Sequence, residues 1–516
     1  MIPMPETYLP YADIRRCGLQ VTFEMVDVDA AETAEAAVSD ACEMAQITQT
    51  HDRTEHPSCR YASLEQDYWR LDGSFLLPEQ EELPLQQTGW WSDKISGADG
   101  VFDTPPVLRF SWNADQSSVG FTVCFDTAGE QYVSRFRLRA YDADGVLLKD
   151  VLVENAAVRC ELDAPVEHYR TVTLEFLRTH EPFRRVRITE VVFGLIKRFT
   201  QENTVSATLD YSFSPIGESL PTNELTLTID NSDASWNMAN PKGVYAYLQQ
   251  TQPLDVSLTI GEDRVYMGRF YFTTASAEDN AMTAKITAND RVYWLDSIKC
   301  RFGSTGTWTL EQAVRTVLET AGMDIPISVS EELGARVIRR ALPKDCSCRD
   351  ALRLLAQAAQ CTCRMDRNGT LVFFDALQLG TVSGFLDLNH MEEPPRMKVA
   401  SEINTVELTV PNEYEEDPDE TVYTASDRRE GEPVQTAEYE NAAAADDAFD
   451  ALAGWLLRFH KRRLTYTVTE RGDPAKEPAD IVSVADSYGG RQDVLITRLK
   501  FNYDGGLSCE TEGCGF

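Results

Sequence analysis

Four cysteines have the spacing in this chain that most resembles a metal site. Cys346 and Cys348 form one C-x-C pair, and Cys361 and Cys363 form a second pair, separated from the first by twelve residues. Zinc requires four thiolates that converge tetrahedrally. The first pair, however, spans the predicted start of a helix, whereas the second lies in a predicted strand with both side chains facing the core. We therefore predict four small buried side chains and no metal site, with zinc as the alternative.

No other pattern in the chain predicts catalysis. None of the six histidines stands in an H-x-x-x-H pattern, and there is no G-x-S-x-G elbow, Walker-type loop or G-x-G-x-x-G after a strand. Serine–histidine or cysteine–histidine pairs that assemble only in space remain open. We predict no catalytic residue, no cofactor and no enzyme, and a wall hydrolase is the enzymatic alternative.

Aromatic residues cluster in the region that begins near residue 61. Trp90, Trp91 and Trp112 lie there, with Tyr68 and Trp69 shortly before them. Exposed aromatic rings can stack on sugar rings, and loops carried on a sandwich are common binding surfaces. We predict that the rings fill the core of the domain, and sugar stacking is the alternative.

Charge and composition exclude several classes of function. The chain has 516 residues with 48 Lys and Arg against 83 Asp and Glu, a net charge of −35. A dedicated nucleic-acid binder needs a basic surface, and anionic lipid also selects for basic residues. No apolar run approaches the ~18 residues of a membrane span, and the start of the chain lacks the pattern of a signal peptide. We expect a soluble, multidomain protein with reduced cysteines, no specific nucleic-acid binding and no membrane insertion.

Short β-type runs dominate most of the chain. Residues 61–196 hold evenly spaced runs with turn signals between them, which is typical of an antiparallel sandwich. Leu225, Leu227 and Ile229 alternate with polar residues further on and predict a half-buried strand in a second β-rich region.

Clear helix signals begin only after residue 300. A capping box of Thr309 and Gln312 opens the first helix, and Gly322 suits its end. Ser347 is predicted to cap a second helix, and Asn441 a third. We therefore predict a compact α+β unit, followed by further strands and one helix.

Several stretches together resemble the baseplate hub protein of bacteriophage tails, in the variety found in tails that infect Gram-positive gut bacteria. Leu220–Asn231 resembles the strand and turn of the first hub barrel, and Tyr245–Val256 resembles the segment that leads into its next strand. Glu477–Val482, Val494–Arg498 and Phe501–Leu507 are similar to the closing strands of the last hub domain. The resemblance covers about residues 1–60 and 197–516, and residues 61–196 resemble an inserted galactose-binding or discoidin-like sandwich.

The resemblance implies a mainly β fold with α+β parts, built from two tail-tube-like β-barrels, an inserted antiparallel sandwich and a small α+β domain. The expected domains are a first hub barrel of 1–60 with 197–300, the inserted jelly-roll sandwich of 61–196, the α+β domain of 301–395, and a second hub barrel with one helix of 396–516.

The resemblance also implies a structural role. A hub of this kind is a homotrimer around a central DNA channel, which joins the end of the tail tube to the tail tip or baseplate. The implied partners are a distal tail protein or the tube above, and tip, fibre or tape-measure proteins below. The chain would assemble in the host cytoplasm and reside in the virion tail. Because it stops at Phe516, we expect no wall-cutting domain on it. A host-glycan adhesin that binds through the inserted sandwich is the alternative function.

Overall fold

The computed structural model describes residues 1–4, 17–52, 60–77, 87–240, 243–261, 263–300, 306–343, 345–411, 420–445 and 448–515. Strands account for 46% and helices for 12% of the structure, which confirms the mainly β class with helical parts. Some sequence predictions lie outside the described residues: those on Pro5 and Glu6, His56, Cys59 and most of the acidic loop at 411–420.

Thirty strands and six α-helices make up the described part of the chain. The first twelve strands are β1 (Gly18–Val26), β2 (Glu35–Val38), β3 (Trp90–Ile95), β4 (Val107–Ser118), β5 (Phe121–Phe125), β6 (Val133–Tyr141), β7 (Leu147–Glu154), β8 (Arg159–Leu162), β9 (Val166–Thr179), β10 (Arg185–Val192), β11 (Gly194–Thr200) and β12 (Thr204–Ser212). The next nine are β13 (Glu224–Asp230), β14 (Pro253–Ile260), β15 (Asp263–Ser276), β16 (Thr283–Asn289), β17 (Thr307–Thr309), β18 (Ile327–Ser328), β19 (Val337–Arg339), β20 (Thr362–Met365) and β21 (Leu371–Phe374). The last nine are β22 (Val382–Leu386), β23 (Arg396–Val399), β24 (Thr405–Pro411), β25 (Glu420–Ser426), β26 (Thr436–Glu440), β27 (Leu464–Glu470), β28 (Ile481–Ala485), β29 (Arg491–Tyr503) and β30 (Leu507–Gly515). The helices are α1 (Val28–Thr33), α2 (Val292–Leu295), α3 (Leu310–Ala321), α4 (Glu331–Gly334), α5 (Cys348–Ala358) and α6 (Phe449–Phe459).

The chain divides into two compact units. Unit 1 comprises Met1–Val21, Phe199–Ala239 and Pro253–Phe516, and unit 2 comprises Thr22–Arg198 and Asn240–Gln252. The described residues between 22 and 60, which the sequence assigned to the first hub barrel, therefore belong to unit 2. The other domain boundaries remain predictions.

Unit 2 is a sandwich of two antiparallel sheets. One sheet has the order β2-β4-β9-β6-β7 and the other has the order β3-β10-β5-β8. Alternating apolar residues of both sheets form one core, which includes Trp90, Phe110, Phe136 and Phe176. The pairing of β2 with β4 explains why residues before 60 join this unit. Strand β2 forms an edge of the first sheet, so the sandwich is built from both sides of the predicted boundary.

Unit 1 is organised around one wide, largely antiparallel sheet. Nine of its strands follow the order β14-β15-β16-β13-β12-β29-β30-β27-β23, and β28 pairs with β29 and with β22. The two predicted barrel regions meet where β12 pairs with β29, from Ala207 opposite Tyr503 to Ser212 opposite Arg498. The Arg498 guanidinium donates to both carboxylate oxygens of Asp210 across this pair, at 2.9 and 2.5 Å. In the described part of the chain the sheets are open, and none closes into a barrel.

The helical part of unit 1 follows the local sequence signals closely. The capping box of Thr309 and Gln312 opens α3, and Gly322 ends it in the left-handed conformation at φ 65°. Ser347 caps α5 as predicted, by accepting a hydrogen bond from the Asp350 amide. Apolar residues of α3 and α5 pack into one core together with strands β20 and β21.

The prediction that Asn441 caps the third helix was wrong. Helix α6 begins after Ala448, seven residues later than expected. Asn441 is fully buried, and its side-chain amide donates to the Leu354 carbonyl and to Gln357 Oε1, both at 3.0 Å. Its amide nitrogen therefore binds α5, and its Oδ1 accepts from the Ala443 amide at 2.9 Å rather than from the start of α6.

Candidate functional site

The four cysteines with metal-like spacing lie in the core of unit 1. Cys346, Cys348, Cys361 and Cys363 are all buried among apolar side chains, as predicted. Burial raises the pKa of the Cys346 and Cys363 thiols to about 12. Such thiols are neutral at physiological pH and are poor metal ligands. In the part of the chain that the structure describes, no group of three or more His, Cys, Asp or Glu side chains is arranged to hold a metal ion.

The tryptophans considered for sugar stacking are buried in unit 2. Trp90 and Trp112 belong to the sandwich core, and Trp91 packs in a smaller cluster beside it. The indole N–H of Trp90 donates to the Asp40 carbonyl and that of Trp112 to the Ala30 carbonyl, both at 2.8 Å. These three rings fill the interior, as predicted, and cannot lie against a ligand on the surface.

A buried charged cluster stands beside Trp91. The Arg187 guanidinium is fully buried between the rings of Tyr68 and Trp91, with its central carbon 4.2 Å from each ring centre. It forms an ion pair with the buried Glu65 carboxylate and lies 3.8 Å from Asp126. Burial raises the pKa of the Asp126 carboxyl. No local pattern in the sequence indicates this cluster, in which Glu65 and Tyr68 of the loop at 60–77 contact Arg187 of the sandwich.

An irregular stretch of the first sheet of unit 2 forms the candidate binding site. Strands β4 and β9 pair regularly up to Ser111, and then four residues of β4, 112–115, lie opposite Arg170 alone. A second irregularity follows, because Ser117 lies opposite two residues of β9. One of these two is His168, whose φ of 57° is left-handed and rare for a residue other than glycine. Bulges of this kind bend a strand and redirect its side chains.

The two bulges border a cavity of about 520 Å³, which is within the range of small-molecule sites. Its walls come from three segments of unit 2: α1 with its N-cap, the bulged end of β4, and residues 247–249 at the end of a short helical turn. The lining residues are Asp27, Asp29, Thr33, Ala114, Asp115, Gln116, Ser117, Tyr247 and Gln249.

Hydrogen bonds and ion pairs hold the polar lining in place. Arg170 Nε donates to Asp115 Oδ1 at 2.6 Å, and His168 Nδ1 lies 3.8 Å from the other Asp115 oxygen. Asp27 accepts from the Ala30 amide at 3.1 Å, and desolvation raises the pKa of its carboxyl. Carboxylate, amide and hydroxyl groups therefore converge on one cavity with the ring of Tyr247.

A second cavity, of about 600 Å³, lies in unit 1 and bears on the catalytic alternative. Both His460 and Cys514 line it. His460 Nε2 is 2.7 Å from the hydroxyl of Tyr439, which also donates to Glu218 at 3.1 Å. The thiol of Cys514 instead interacts with Arg462, and burial raises its pKa. The histidine is thus bonded to a tyrosine and the thiol to an arginine, which is not the arrangement of a nucleophile and its base.

The sequence signals for the cavity in unit 2 were weak. Asp115, Gln116 and Ser117 form a polar run inside a strand, which is the one local hint of an irregularity. The contribution of Tyr247 could not be foreseen, because it comes from a segment assigned to the hub barrel. Of the sequence candidates, Trp112 alone lies next to this site, in the bulged part of β4.

No protein-family model and no curated protein matches the chain. In the described part of the chain, no helix has the length and apolar character that a membrane crossing requires. Among solved structures, the chain is similar to a tail protein from Neisseria meningitidis MC58, with 12% identity and a TM-score of 0.46, over 62% of this chain and 93% of that one. It is similar to the 43 kDa tail protein of prophage MuSo2 from Shewanella oneidensis, with 14% identity and a TM-score of 0.42, over 61% and 95% of the two chains. It is also similar to the family 32 carbohydrate-binding module of NanJ from C. perfringens, solved in complex with galactose, with 10% identity and a TM-score of 0.22, over 34% and 99%. Two of these structures are thus tail proteins, one of them from a prophage, and the third is a carbohydrate-binding module.

Proposed function

We propose that this chain is the structural hub of a phage tail, which joins the end of the tail tube to the tail tip or baseplate as a homotrimer around a DNA channel. The observation that carries the proposal is the pairing of β12 with β29 in unit 1. It joins two β-rich halves of one chain side by side in a single sheet. Three such chains would present six similar halves, which is the number that a sixfold tube requires.

Exposed apolar side chains on unit 1 support an assembly. Strand β23 forms one end of the large sheet, and all four of its residues are exposed. Met397 and Val399 on this strand have 52% and 62% of their surface exposed, and Phe385 on β22 has 66%. Arg396 and Lys398 alternate with these apolar residues along β23, so Met397 and Val399 share one face of the strand, and exposed apolar residues at a sheet edge are a template for association. We propose that a second copy of the chain covers this edge in the trimer.

The charge of the chain suits a channel for DNA. A net charge of −35 per subunit repels phosphate and lets DNA pass without adhering. In this proposal the chain has no enzymatic activity of its own. Its partners are a distal tail protein or the tube above, and tip, fibre or tape-measure proteins below. It resides in the virion tail after assembly in the host cytoplasm.

Light scattering on purified protein tests the trimer. We expect a mass near three times the 57.9 kDa of one chain, and we expect Met397→Asp and Val399→Asp to shift the mass toward that of a monomer. Val146→Asp, at an exposed apolar position in a turn of unit 2, is the matched control and should leave the mass unchanged. A monomer at every concentration, or a trimer that both β23 variants leave intact, would contradict the proposed interface.

We propose carbohydrate binding by unit 2 as a second function. The specific observation that favours it is the polar cavity between the two bulges, with a tyrosine in its wall. Glycan-microarray binding by the full chain tests it, and we expect binding to a subset of glycans. If no glycan is bound, the adhesin function is excluded while the hub proposal is unaffected.

A further inference from the structure

We infer that the cavity bordered by Asp115 and Tyr247 in unit 2 is the carbohydrate site, and that it takes neutral or amine-bearing sugars rather than anionic ones. This inference rests on the proposed carbohydrate function and gives it a location and a ligand class. None of the aromatic residues that the sequence singled out lines this cavity: Tyr68, Trp90, Trp91 and Trp112 are buried, and Trp69 is half-buried outside it.

The lining has the two kinds of group that a sugar site needs. Sugar hydroxyls donate to carboxylates and accept from amide N–H groups, and Asp115, Gln116 and Gln249 supply both. The apolar face of a pyranose packs on an aromatic ring, and Tyr247 is the aromatic residue in the wall. Tyr247 is half-buried, so one part of the residue packs on the protein and the other is exposed to a ligand.

The site is built rather than accidental. The bulged part of β4 places Asp115 in the cavity wall, where it pairs with Arg170 and lies 3.8 Å from His168, two residues of β9 that are outside the lining. Strained backbone such as the left-handed φ of His168 persists where the surrounding structure fixes it, and it is most frequent at functional sites. The segment that carries Tyr247 is separated in sequence from the sandwich strands, yet it belongs to the same compact unit.

A buried tyrosine of the sandwich core lies next to the bulged part of β4. Tyr169 is fully buried opposite Gln116 on β9, and its hydroxyl has no hydrogen-bond partner in the described part of the chain. It is close enough to Asp27 for that charge to raise its pKa further above the effect of burial. Its ring packs on Trp112 and Phe121 in the core and is outside the cavity lining, so it supports the bulged part of β4 from the inside.

The charges around the cavity decide the class of sugar. Three carboxylates line it, from Asp27, Asp29 and Asp115. Asp163 and Glu167 lie near Tyr247 and, after desolvation, help to raise the pKa of its phenol. The cation at this site, Arg170, is already paired with Asp115. An anionic sugar would be repelled by the carboxylates of Asp27 and Asp29, whereas a neutral sugar or an amino sugar would not.

Saturation-transfer NMR on the full chain tests the inference with a charge-matched panel. The probes are the methyl glycosides of galactose and glucose, the corresponding 2-amino sugars and the corresponding uronic acids. We expect binding of neutral or amino sugars, with the uronic acids at least about tenfold weaker. Tyr247→Ala and Asp115→Asn should each weaken binding about tenfold.

Matched controls separate a local effect from a loss of fold. Tyr245→Ala removes a tyrosine that is 58% exposed and outside the cavity wall, and Asp103→Asn removes an exposed carboxylate elsewhere in unit 2. Both should bind as the parent chain does. Asp29→Asn keeps the shape of the cavity but removes one charge, so it should bring the affinities of the uronic acid and the neutral sugar closer by up to about fivefold.

The possible failures can be told apart. Glycan binding that survives both Tyr247→Ala and Asp115→Asn would overturn the location and leave carbohydrate binding by unit 2 in place. Uronic acids that bind as tightly as their neutral counterparts would overturn the ligand class. The absence of any signal on both the microarray and the NMR panel would overturn the site and the carbohydrate function together.

Discussion

Replacement of Arg187 by methionine should destabilise unit 2 strongly. The side chain is fully buried, pairs with Glu65 and packs between Tyr68 and Trp91. Methionine fills a similar volume and keeps the apolar contacts, but it removes the cation that pairs with the buried Glu65. Asp126 keeps the Gly129 amide and the charge of Arg60. The Glu65 carboxylate would keep hydrogen bonds from Ser63 and from the Arg185 amide, which do not neutralise its charge.

The expected cost is about 3–5 kcal/mol, the usual penalty for removing one partner of a buried ion pair. In a unit of this size each kcal/mol lowers the unfolding temperature by roughly 2–4 °C, so the unit should melt about 6–20 °C lower. Addition of Glu65→Gln to the Arg187→Met variant removes the stranded charge and should recover about 1–3 kcal/mol.

Tryptophan fluorescence during urea unfolding is the direct assay, because Trp91 lies against the guanidinium. Arg109→Met, at an exposed position on β4, is the control and should change stability by less than about 0.5 kcal/mol. If Arg187→Met lowers the free energy of unfolding by less than about 1 kcal/mol, or if the double variant recovers none of the loss, then breaking this ion pair does not leave a costly buried charge at Glu65.

Three further predictions concern stability. Burial raises the pKa of the Asp290 carboxyl from 3.8 to about 7, so the folded state holds this proton more tightly than the unfolded chain. The contribution of Asp290 to the free energy of unfolding therefore falls by about 4 kcal/mol as pH rises from about 4 to 7. In the Asp290→Asn variant the denaturant midpoint of unfolding should vary less with pH over that range. The same pH dependence in the variant and the parent chain would contradict this prediction. Thr309→Ala removes the hydrogen-bonded cap of α3 and should lower the free energy of unfolding in denaturant by about 1 kcal/mol. The control Thr307→Ala, at an exposed position two residues earlier, should lower it by less. Equal losses of stability in the two variants would contradict a stabilising role of the cap. Gly120→Ala would place a methyl group 2.2 Å from the Leu162 carbonyl oxygen. We expect a lower melting temperature than for Gly145→Ala, where nothing lies within 4 Å and the cost is that of the left-handed backbone at φ 77°, roughly 1–2 kcal/mol. The reverse order would show that the backbone around Gly120 shifts to accommodate the methyl group.

The parts of the fold that sequence could predict are those with local causes. The capping box of Thr309, the cap of Ser347 and the glycine end of α3 depend on residues within one turn, and all three are observed. The burial of Trp90 and Trp112 also followed, because large aromatic residues in alternating strands usually face a core. These signals need no knowledge of which strands are neighbours.

The parts that sequence missed depend on contacts between distant residues. Arg187 stands in a strand that is buried on both faces, and nothing nearby in sequence shows that Glu65 supplies its counter-charge. Asn441 is a residue type that often caps helices, but its side-chain amide donates to a helix about ninety residues earlier in the chain. The cavity of unit 2 needs two bulges and a segment from another region of the sequence, so neither its position nor its tyrosine could be read from a periodic pattern.

Electron cryo-microscopy of the purified chain tests the central claim most directly. The hub proposal predicts rings of three copies with threefold symmetry and a central opening wide enough for duplex DNA, with β23 of unit 1 at the contact between copies. Single copies throughout, or closed particles of another symmetry without an opening, would contradict it.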